Sequence, residues 1–145
     1  MSNSPITASG GCLCKAVRYR VQGPLRDVIA CHCTQCRRSS GHFVAATATA
    51  PENLIITEDR GLCWYEPPEL YKRGFCKHCG SSLFFVSQTK SHDRISIAAG
   101  SLDNSVGIKL AAHIFVEEAG GYYQISDEVE QVNGGAHAVK MPEPY

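Results

Sequence analysis

The chain has 145 residues, a length typical of one domain, and its 43% hydrophobic and 19% charged residues indicate a globular protein rather than a disordered one. Its 14 basic and 14 acidic residues cancel, which argues against a nucleic-acid partner because such binders usually carry a basic excess. No apolar stretch approaches the roughly 20 residues that cross a bilayer, and residues 1–10 lack the apolar segment of a signal peptide. We therefore expect a cytoplasmic protein with no membrane partner.

Short alternating apolar segments, separated by Gly and Pro, predict a mainly β fold with few short helices. Residues 1–10 are expected to form a loose leader, and residues 134–145 a surface extension or disordered tail. A helical turn is predicted at 34–40, with short helices near 102–106. The predicted strands cover residues 16–21, 27–30, 43–49, 54–57, 62–65, 82–86, 94–98, 112–117 and 122–125.

Eight cysteines in a protein of a reducing compartment are more often metal ligands or catalytic groups than disulfides. A thioredoxin-like redox pair at Cys76 and Cys79 is disfavoured because no βαβ pattern surrounds this C-x-x-C motif. Cys63 stands alone beside Trp64 and is interpreted as a small buried core residue. The other seven form three motifs: Cys12 and Cys14 in C-x-C, Cys31, Cys33 and Cys36 in C-H-C-x-x-C, and Cys76 and Cys79 in C-x-x-C.

Close cysteine pairs of this kind present two sulfurs to one zinc ion. Two divisions of the ligands are open. In the first, Cys12 and Cys14 join Cys76 and Cys79 in a closed four-sulfur set, and the central motif forms a three-sulfur set with an open position. In the second, the motif pairs Cys33/Cys36 and Cys76/Cys79 form a zinc ribbon. The spacing alone favours the first division only modestly.

Four histidines are candidates for further roles. His32, between two cysteines, is a candidate for a hydrogen bond to sulfur or for a catalytic role, and His42 is a candidate fourth ligand or proton carrier, although a structural role is favoured for both. His113 lies in an apolar strand and is interpreted as structural, and His78 is expected to be exposed.

Several ordered segments resemble the glutathione-dependent formaldehyde-activating enzyme (GFA) family, which includes the centromere protein V group. They are residues 10–19 (GGCLCKAVRY), 31–37 (CHCTQCR), Ser40 and Gly41, 73–81 (RGFCKHCGS), Leu83 and Phe84, 99–103 (AGSLD) and 113–116 (HIFV). Family members often carry a Trp after the His-containing strand, where this chain has Gly121, Tyr122 and Tyr123.

The resemblance implies an Mss4-like β fold with two zinc ions, in a domain spanning residues 9–125 followed by a C-terminal extension, 126–145. It also implies a division of labour between the two ions. Cys12, Cys14, Cys76 and Cys79 would hold the structural ion, and Cys31, Cys33 and Cys36 would hold the catalytic one.

The implied activity is that of a carbon–sulfur lyase acting on a glutathione, or other thiol, adduct of formaldehyde or a related aldehyde. Arginine suits the two carboxylates of glutathione, so Arg37, Arg38 and Arg73 are the predicted binding residues. The alternatives are a non-catalytic zinc module that binds a thiol or a protein, and a nucleic-acid-associated zinc protein, which the neutral charge disfavours. Exposed β edges permit a homo-oligomer.

Overall fold

A computed structural model describes residues 6–88, 93–104 and 107–140 of the chain. The described part contains one α-helix, α1 (Thr34–Ser40), and none of its helices is long and apolar enough to cross a membrane. Four short 3-10 turns lie at Pro51–Asn53, Ala99–Ser101, Val116–Glu118 and Ala136–Ala138. The strands are β1 (Ile6–Gly11), β2 (Arg18–Gln22), β3 (Val28–Cys31), β4 (Val44–Thr49), β5 (Leu54–Glu58), β6 (Leu62–Tyr65), β7 (Tyr71–Cys76), β8 (Ser82–Ser87), β9 (Ile95–Ala98), β10 (Leu110–Ile114) and β11 (Glu130–Gln131).

These strands form two sheets, which confirms the mainly β fold. The smaller sheet has the order β1-β2-β5 and is antiparallel throughout. The larger has the order β11-β10-β3-β4-β9-β8-β7-β6 and is antiparallel except where β10 pairs with β3 and β11.

The main hydrophobic core lies between the two sheets. Tyr19 and Val21 alternate with exposed Arg20 along β2, so one face of this strand is buried and the other faces solvent. The ring of Tyr19 packs edge-on against Phe84 of β8, with 5.4 Å between the ring centroids. Phe84 and Ile97 therefore face the small sheet, and the alternating residues Phe85 and Ser96 project from the opposite face of the large sheet.

The first ten residues are not a loose leader in their described part, because β1 pairs with β2. The apolar signal is weak there because small residues pack where large ones cannot. A Cβ on Gly10 would lie 2.6 Å from the ring of Tyr19 and 2.3 Å from the carbonyl oxygen of Ser101. Such close packing has no counterpart in hydrophobic periodicity, so the sequence pattern did not show it.

Strand β7 was missed because Lys72, Arg73 and Gly74 interrupt its apolar pattern. Gly74 is buried against the rings of Trp64 and Phe84, each 3.0 Å from where a Cβ would stand.

The strand predicted at 112–117 ends early and the one at 122–125 is absent. Strand β10 stops at Ile114 because Phe115 adopts a left-handed backbone conformation with φ of 52°. A 3-10 turn follows, and residues 122–125 form no strand; the hydroxyls of Tyr122 and Tyr123 instead contact His42 and His32. Of the helices predicted near 102–106, residues 102–104 form none, and 105–106 lie outside the described residues.

The residues beyond 125 also contribute to the structure. Strand β11 extends the large sheet, and Ala136 and Val139 pack against a second core built on Ile29, Ala112 and Ile114. The domain boundary at 125 stays a prediction.

Candidate metal centres and the adjoining cavity

Four cysteine sulfurs from two distant turns meet at the junction of the sheets. Cys12 and Cys14 follow β1, whereas Cys76 ends β7 and Cys79 precedes β8. All four sulfurs lie within 4.8 Å of one another. Sγ of Cys14 is 3.7 Å from Sγ of Cys12 and 3.7 Å from Sγ of Cys76.

This arrangement fits zinc. Four sulfurs placed about 2.3 Å from a tetrahedral ion are about 3.8 Å apart, close to the separations observed. Neighbouring groups fix the ligands, since the backbone N–H of Val17 donates to Sγ of Cys12 at 3.2 Å, and the hydroxyl of Ser81 lies 3.2 Å from Sγ of Cys79. The donor set is closed, as in structural zinc sites.

The remaining motif forms a separate group in which the sulfurs of Cys31, Cys33 and Cys36 lie within 4.8 Å of one another. Cys31 ends β3, Cys33 is the N-cap of α1, and Cys36 lies in the first turn of the helix. The seven sulfurs are thus grouped as four and three, and Cys33 and Cys36 do not join Cys76 and Cys79 as the ribbon requires. Among the residues that the structure describes, no fourth ligand joins these three thiols, and such a set suits a zinc site that keeps one open position.

The three thiols share their protons unequally. Hydrogen bonds from the Cys31 and Cys36 thiols lower the pKa of Cys33 to about 2. The contact with Cys33 is also the main reason that the pKa of Cys31 is raised. The backbone N–H of Cys36 donates to Sγ of Cys33 at 3.3 Å, so the negative charge is held at the start of the helix.

The three-sulfur group lies at a cavity of about 390 Å³ on the outer face of the large sheet. This volume falls at the lower end of the range for sites that bind one small molecule. Its charged lining is cationic and consists of Arg26, Arg73 and Arg94, and no acidic residue lines it among those that the structure describes.

Arg73 joins the cavity to the sulfur group. Its Nη2 atom lies 3.7 Å from Sγ of Cys36 and donates to Oε1 of Gln35 at 2.8 Å. The guanidinium stacks over the ring of Phe85, 4.9 Å from its centroid. Within the described residues, its Nε atom is buried without a hydrogen-bond partner, so this arginine retains capacity to bind a ligand.

The other two predicted arginines lie elsewhere. Arg37 and Arg38 occupy the last turn of α1, where positive charge suits the helix dipole, and neither lines the cavity. Arg26 and Arg94 do line it and were missed. Each lies just before a strand, and only the pairing of β3, β4 and β9 brings them to one face, so no spacing rule indicated them.

A hydrogen-bonded chain of side chains supports the loop between Cys31 and Cys33. Nδ1 of His32 is 2.5 Å from the hydroxyl of Tyr123, and its Nε2 is 2.8 Å from Nδ1 of His113. Nε2 of His113 is 2.9 Å from the carboxylate of Asp127. Both ring nitrogens of His32 thus have partners other than sulfur, so the candidate hydrogen bond from His32 to a cysteine is not formed. His113 is buried, as expected of a histidine in an apolar strand.

Three further residues considered in the sequence analysis are His42, His78 and Cys63, and the structure shows the position of each. His42 is outside the three-sulfur group, and its Nδ1 atom lies 2.6 Å from the hydroxyl of Tyr122. His78 is exposed, as expected. Cys63 is half-buried rather than buried, because β6 is an edge strand of the large sheet.

Comparison with known proteins identifies the family of this chain. The sequence model of the family described as glutathione-dependent formaldehyde-activating enzyme matches residues 7–118, more than half of the chain. The chain belongs to this family. The GFA family match includes both cysteine groups and Arg73.

Two further similarities accompany the family match. A Schizosaccharomyces pombe (strain 972 / ATCC 24843) protein, named an uncharacterized lyase, is 32% identical over 78 residues. The match covers 53% of this chain and 56% of the yeast protein, so it spans just over half of that relative. The crystal structure of a Rhodobacter sphaeroides protein is similar with a TM-score of 0.56 and 22% identity, covering 71% of this chain and 99% of that one. This second similarity shows a shared fold.

Proposed function

We propose that the protein is a zinc-dependent carbon–sulfur lyase that joins glutathione, or a related thiol, to formaldehyde or a related aldehyde. The observation that carries the proposal is the three-sulfur group at the mouth of an arginine-lined cavity. The family match and the lyase name of the yeast relative agree with it. Seven reduced thiols are required, which favours a reducing compartment such as the cytoplasm.

Cys31, Cys33 and Cys36 are the proposed ligands of a catalytic zinc ion, and Cys12, Cys14, Cys76 and Cys79 those of a structural one. Bound at the first set, zinc would supply a position where a thiol is held as the thiolate. Three thiolate ligands already offset the charge of the ion, so its role is to hold the thiol rather than to polarise the aldehyde strongly.

The chain's own residues orient the thiol. Arg73 offers its guanidinium beside the sulfur group, where it can bind a carboxylate of glutathione through charge-assisted hydrogen bonds. Arg26 and Arg94 add positive charge to the same cavity. The thiolate attacks the aldehyde carbon, a C–S bond forms, the C=O electron pair moves to oxygen, and that oxygen takes a proton from water.

The test measures S-hydroxymethylglutathione formation with the protein as isolated, after subtraction of the uncatalysed rate. We expect a protein-dependent rate that Cys31→Ser abolishes. Cys63→Ser is the matched control, because Cys63 belongs to neither sulfur group, and its rate should equal that of wild type. Glutathione binding without any rate would replace the proposal by the non-catalytic module.

A further inference from the structure

The cavity beside the three-sulfur group has two chemically different sides, set by the strand order of the large sheet. The strands β10, β3 and β4 contribute mainly aliphatic side chains, whereas β7, β8 and β9 contribute an arginine, two serines and Phe85, whose ring lies under the Arg73 guanidinium. The apolar side consists of Ile29, Val44, Ala46, Ile114, Phe115 and Ala136. The cationic side consists of Arg73, Phe85, Ser87, Arg94 and Ser96.

The sulfur group stands between these sides. Cys31 packs against the apolar core of Ile29 and Ile114 and is paired with Ile114 across β3 and β10. The sulfur of Cys36 lies 3.7 Å from Nη2 of the Arg73 guanidinium. Arg26 borders the apolar side, and its guanidinium donates to the main-chain carbonyls of Asp27 and Ala46.

If the carboxylates of a thiol bound at the sulfur group lie toward Arg73, the apolar side of the cavity is left for the substituent on its sulfur. Formaldehyde would place only one carbon and a hydroxyl there, and a hydroxyl gains nothing from an apolar wall. We propose that the preferred aldehyde carries an unbranched aliphatic chain, which the apolar side binds. This inference rests on the proposed function and specifies its second substrate.

Phe115 and Ala136 are the specificity-determining residues of this side. Phe115 holds a left-handed backbone conformation, with φ of 52° and ψ of 40°, that is strained for a bulky side chain. The strain is maintained by a hydrogen bond from its backbone N–H to the carbonyl of Gly134 at 2.8 Å. Gly135, which follows Gly134, lies beside the Phe115 ring, and both Phe115 and Ala136 line the cavity.

The reaction with a longer aldehyde follows the same steps as the reaction with formaldehyde, and its atoms and charges balance in the same way. The thiolate sulfur bonds to the aldehyde carbon, the C=O electron pair moves to oxygen, and one proton from water completes the hydroxyl. No oxidant or reductant is needed. The product carries its alkyl chain on the carbon next to sulfur, which is where the apolar side lies.

The binding test uses two stable thioethers, S-hexylglutathione and S-methylglutathione, measured by calorimetry. Their carboxylates are identical, and five additional methylene groups distinguish them. Because burying each methylene is favourable, we expect the hexyl compound to bind at least ten-fold more tightly. Equal dissociation constants would overturn the inference.

The kinetic test compares hexanal with formaldehyde through the ratio of their kcat/KM values. Ala136→Leu fills the apolar side and should lower the hexanal-to-formaldehyde ratio at least ten-fold. Ala138→Leu makes the same change at an exposed position of the same turn and should leave the ratio unchanged.

The outcomes separate the two proposals. Turnover of formaldehyde with no preference for hexanal would contradict the inference about the aldehyde and would leave the proposed function intact. Absence of turnover with both aldehydes overturns both. Turnover of hexanal alone supports the inference and removes formaldehyde as the substrate.

Discussion

The sulfur atoms of Cys14 and Cys76 lie 3.7 Å apart, although 62 positions separate the two residues in the sequence. Cys14 lies in the turn between β1 and β2, whereas Cys76 ends β7 in the large sheet. A metal ion held by this group would therefore fasten one sheet to the other. The three-sulfur group, in contrast, draws its ligands from one continuous segment, 31–36, and joins no distant parts of the chain.

Loss of the two groups should accordingly have different consequences. Structural zinc contributes about 10–16 kcal/mol to folding, comparable to the whole stability of a domain, about 5–15 kcal/mol. Cys76→Ser should therefore unfold the protein, whereas Cys31→Ser should remain folded with one zinc ion instead of two. Circular dichroism and metal analysis of both variants, with Cys63→Ser as control, measure this. Identical behaviour of the two variants would contradict the assignment.

Arg73 is expected to bind a carboxylate of the thiol substrate. A hydrogen bond to a charged group contributes about 1.5–3 kcal/mol, so Arg73→Gln should raise KM for glutathione by roughly 10- to 150-fold. 2-Mercaptoethanol has the thiol but neither a carboxylate nor an ammonium group, and its KM should be the same in both proteins.

The matched controls for Arg73 are Arg37→Gln and Arg38→Gln. These remove the same charge from the last turn of α1, outside the cavity lining. Their KM for glutathione should stay within two- to three-fold of wild type. If either control raised KM for glutathione strongly and Arg73→Gln did not, the carboxylate would be bound by an arginine of α1 instead. Arg37 and Arg38 were also named as binding residues in the sequence analysis.

Local sequence chemistry predicted the ligand groups and most of the strands. Spacing identifies sulfur pairs because a C-x-C or C-x-x-C presents both thiols to one ion whatever the fold around it. Alternation identifies β2 because Tyr19 and Val21 are buried while Arg20 is not. The helical turn at 34–40 was predicted with the bounds that α1 has.

The features that the sequence did not predict depend on contacts between residues that are far apart in the chain. Arg26 and Arg94 are 68 positions apart and share the cavity because β4 pairs with both β3 and β9. The end of β10 depends on Phe115, whose left-handed conformation is fixed by a hydrogen bond to Gly134. No local pattern carries such information, because the partner that decides each outcome lies elsewhere in the chain.

Acid should weaken the ion pair between Arg18 of β2 and Asp103, which follows the Ala99–Ser101 turn. Hydrogen bonds from Arg18 and Ser9 lower the pKa of Asp103 from its ordinary value of 3.8 to about 2. A lowered pKa in the folded state stabilises it above the unfolded-state pKa, and this stabilisation is lost as the pH falls from about 4 to about 2. The ion pair is partly exposed, so its contribution is below about 1 kcal/mol.

The measurement compares the free energy of unfolding of wild type and Asp103→Asn in urea. The difference should be largest at neutral pH and should begin to fall as the pH approaches about 4. The titration is restricted to the pH range in which both proteins keep the metal proposed at the four-sulfur group, because its release at lower pH would unfold them. A difference that grows on acidification would show that Asp103 is not stabilised as its carboxylate.

The last prediction concerns His113, which connects His32 to Asp127. With one proton on each ring, His113 donates to the carboxylate and accepts from Nε2 of His32, and the Tyr123 hydroxyl donates to Nδ1 of His32. His113→Leu leaves Nε2 of a buried His32 without a partner, at a cost of about 1–3 kcal/mol in the free energy of unfolding.

Because His32 lies between two ligands, the same substitution should weaken metal binding at the three-sulfur group and spare the four-sulfur group. Urea unfolding and competition with a chromogenic chelator measure the two effects. His137→Leu is the control, since exposed His137 lies in neither cysteine motif and the substitution should change stability by less than about 0.5 kcal/mol. His113→Leu with unaltered affinity at the three-sulfur group would show that the histidine chain supports the fold without positioning Cys31 and Cys33.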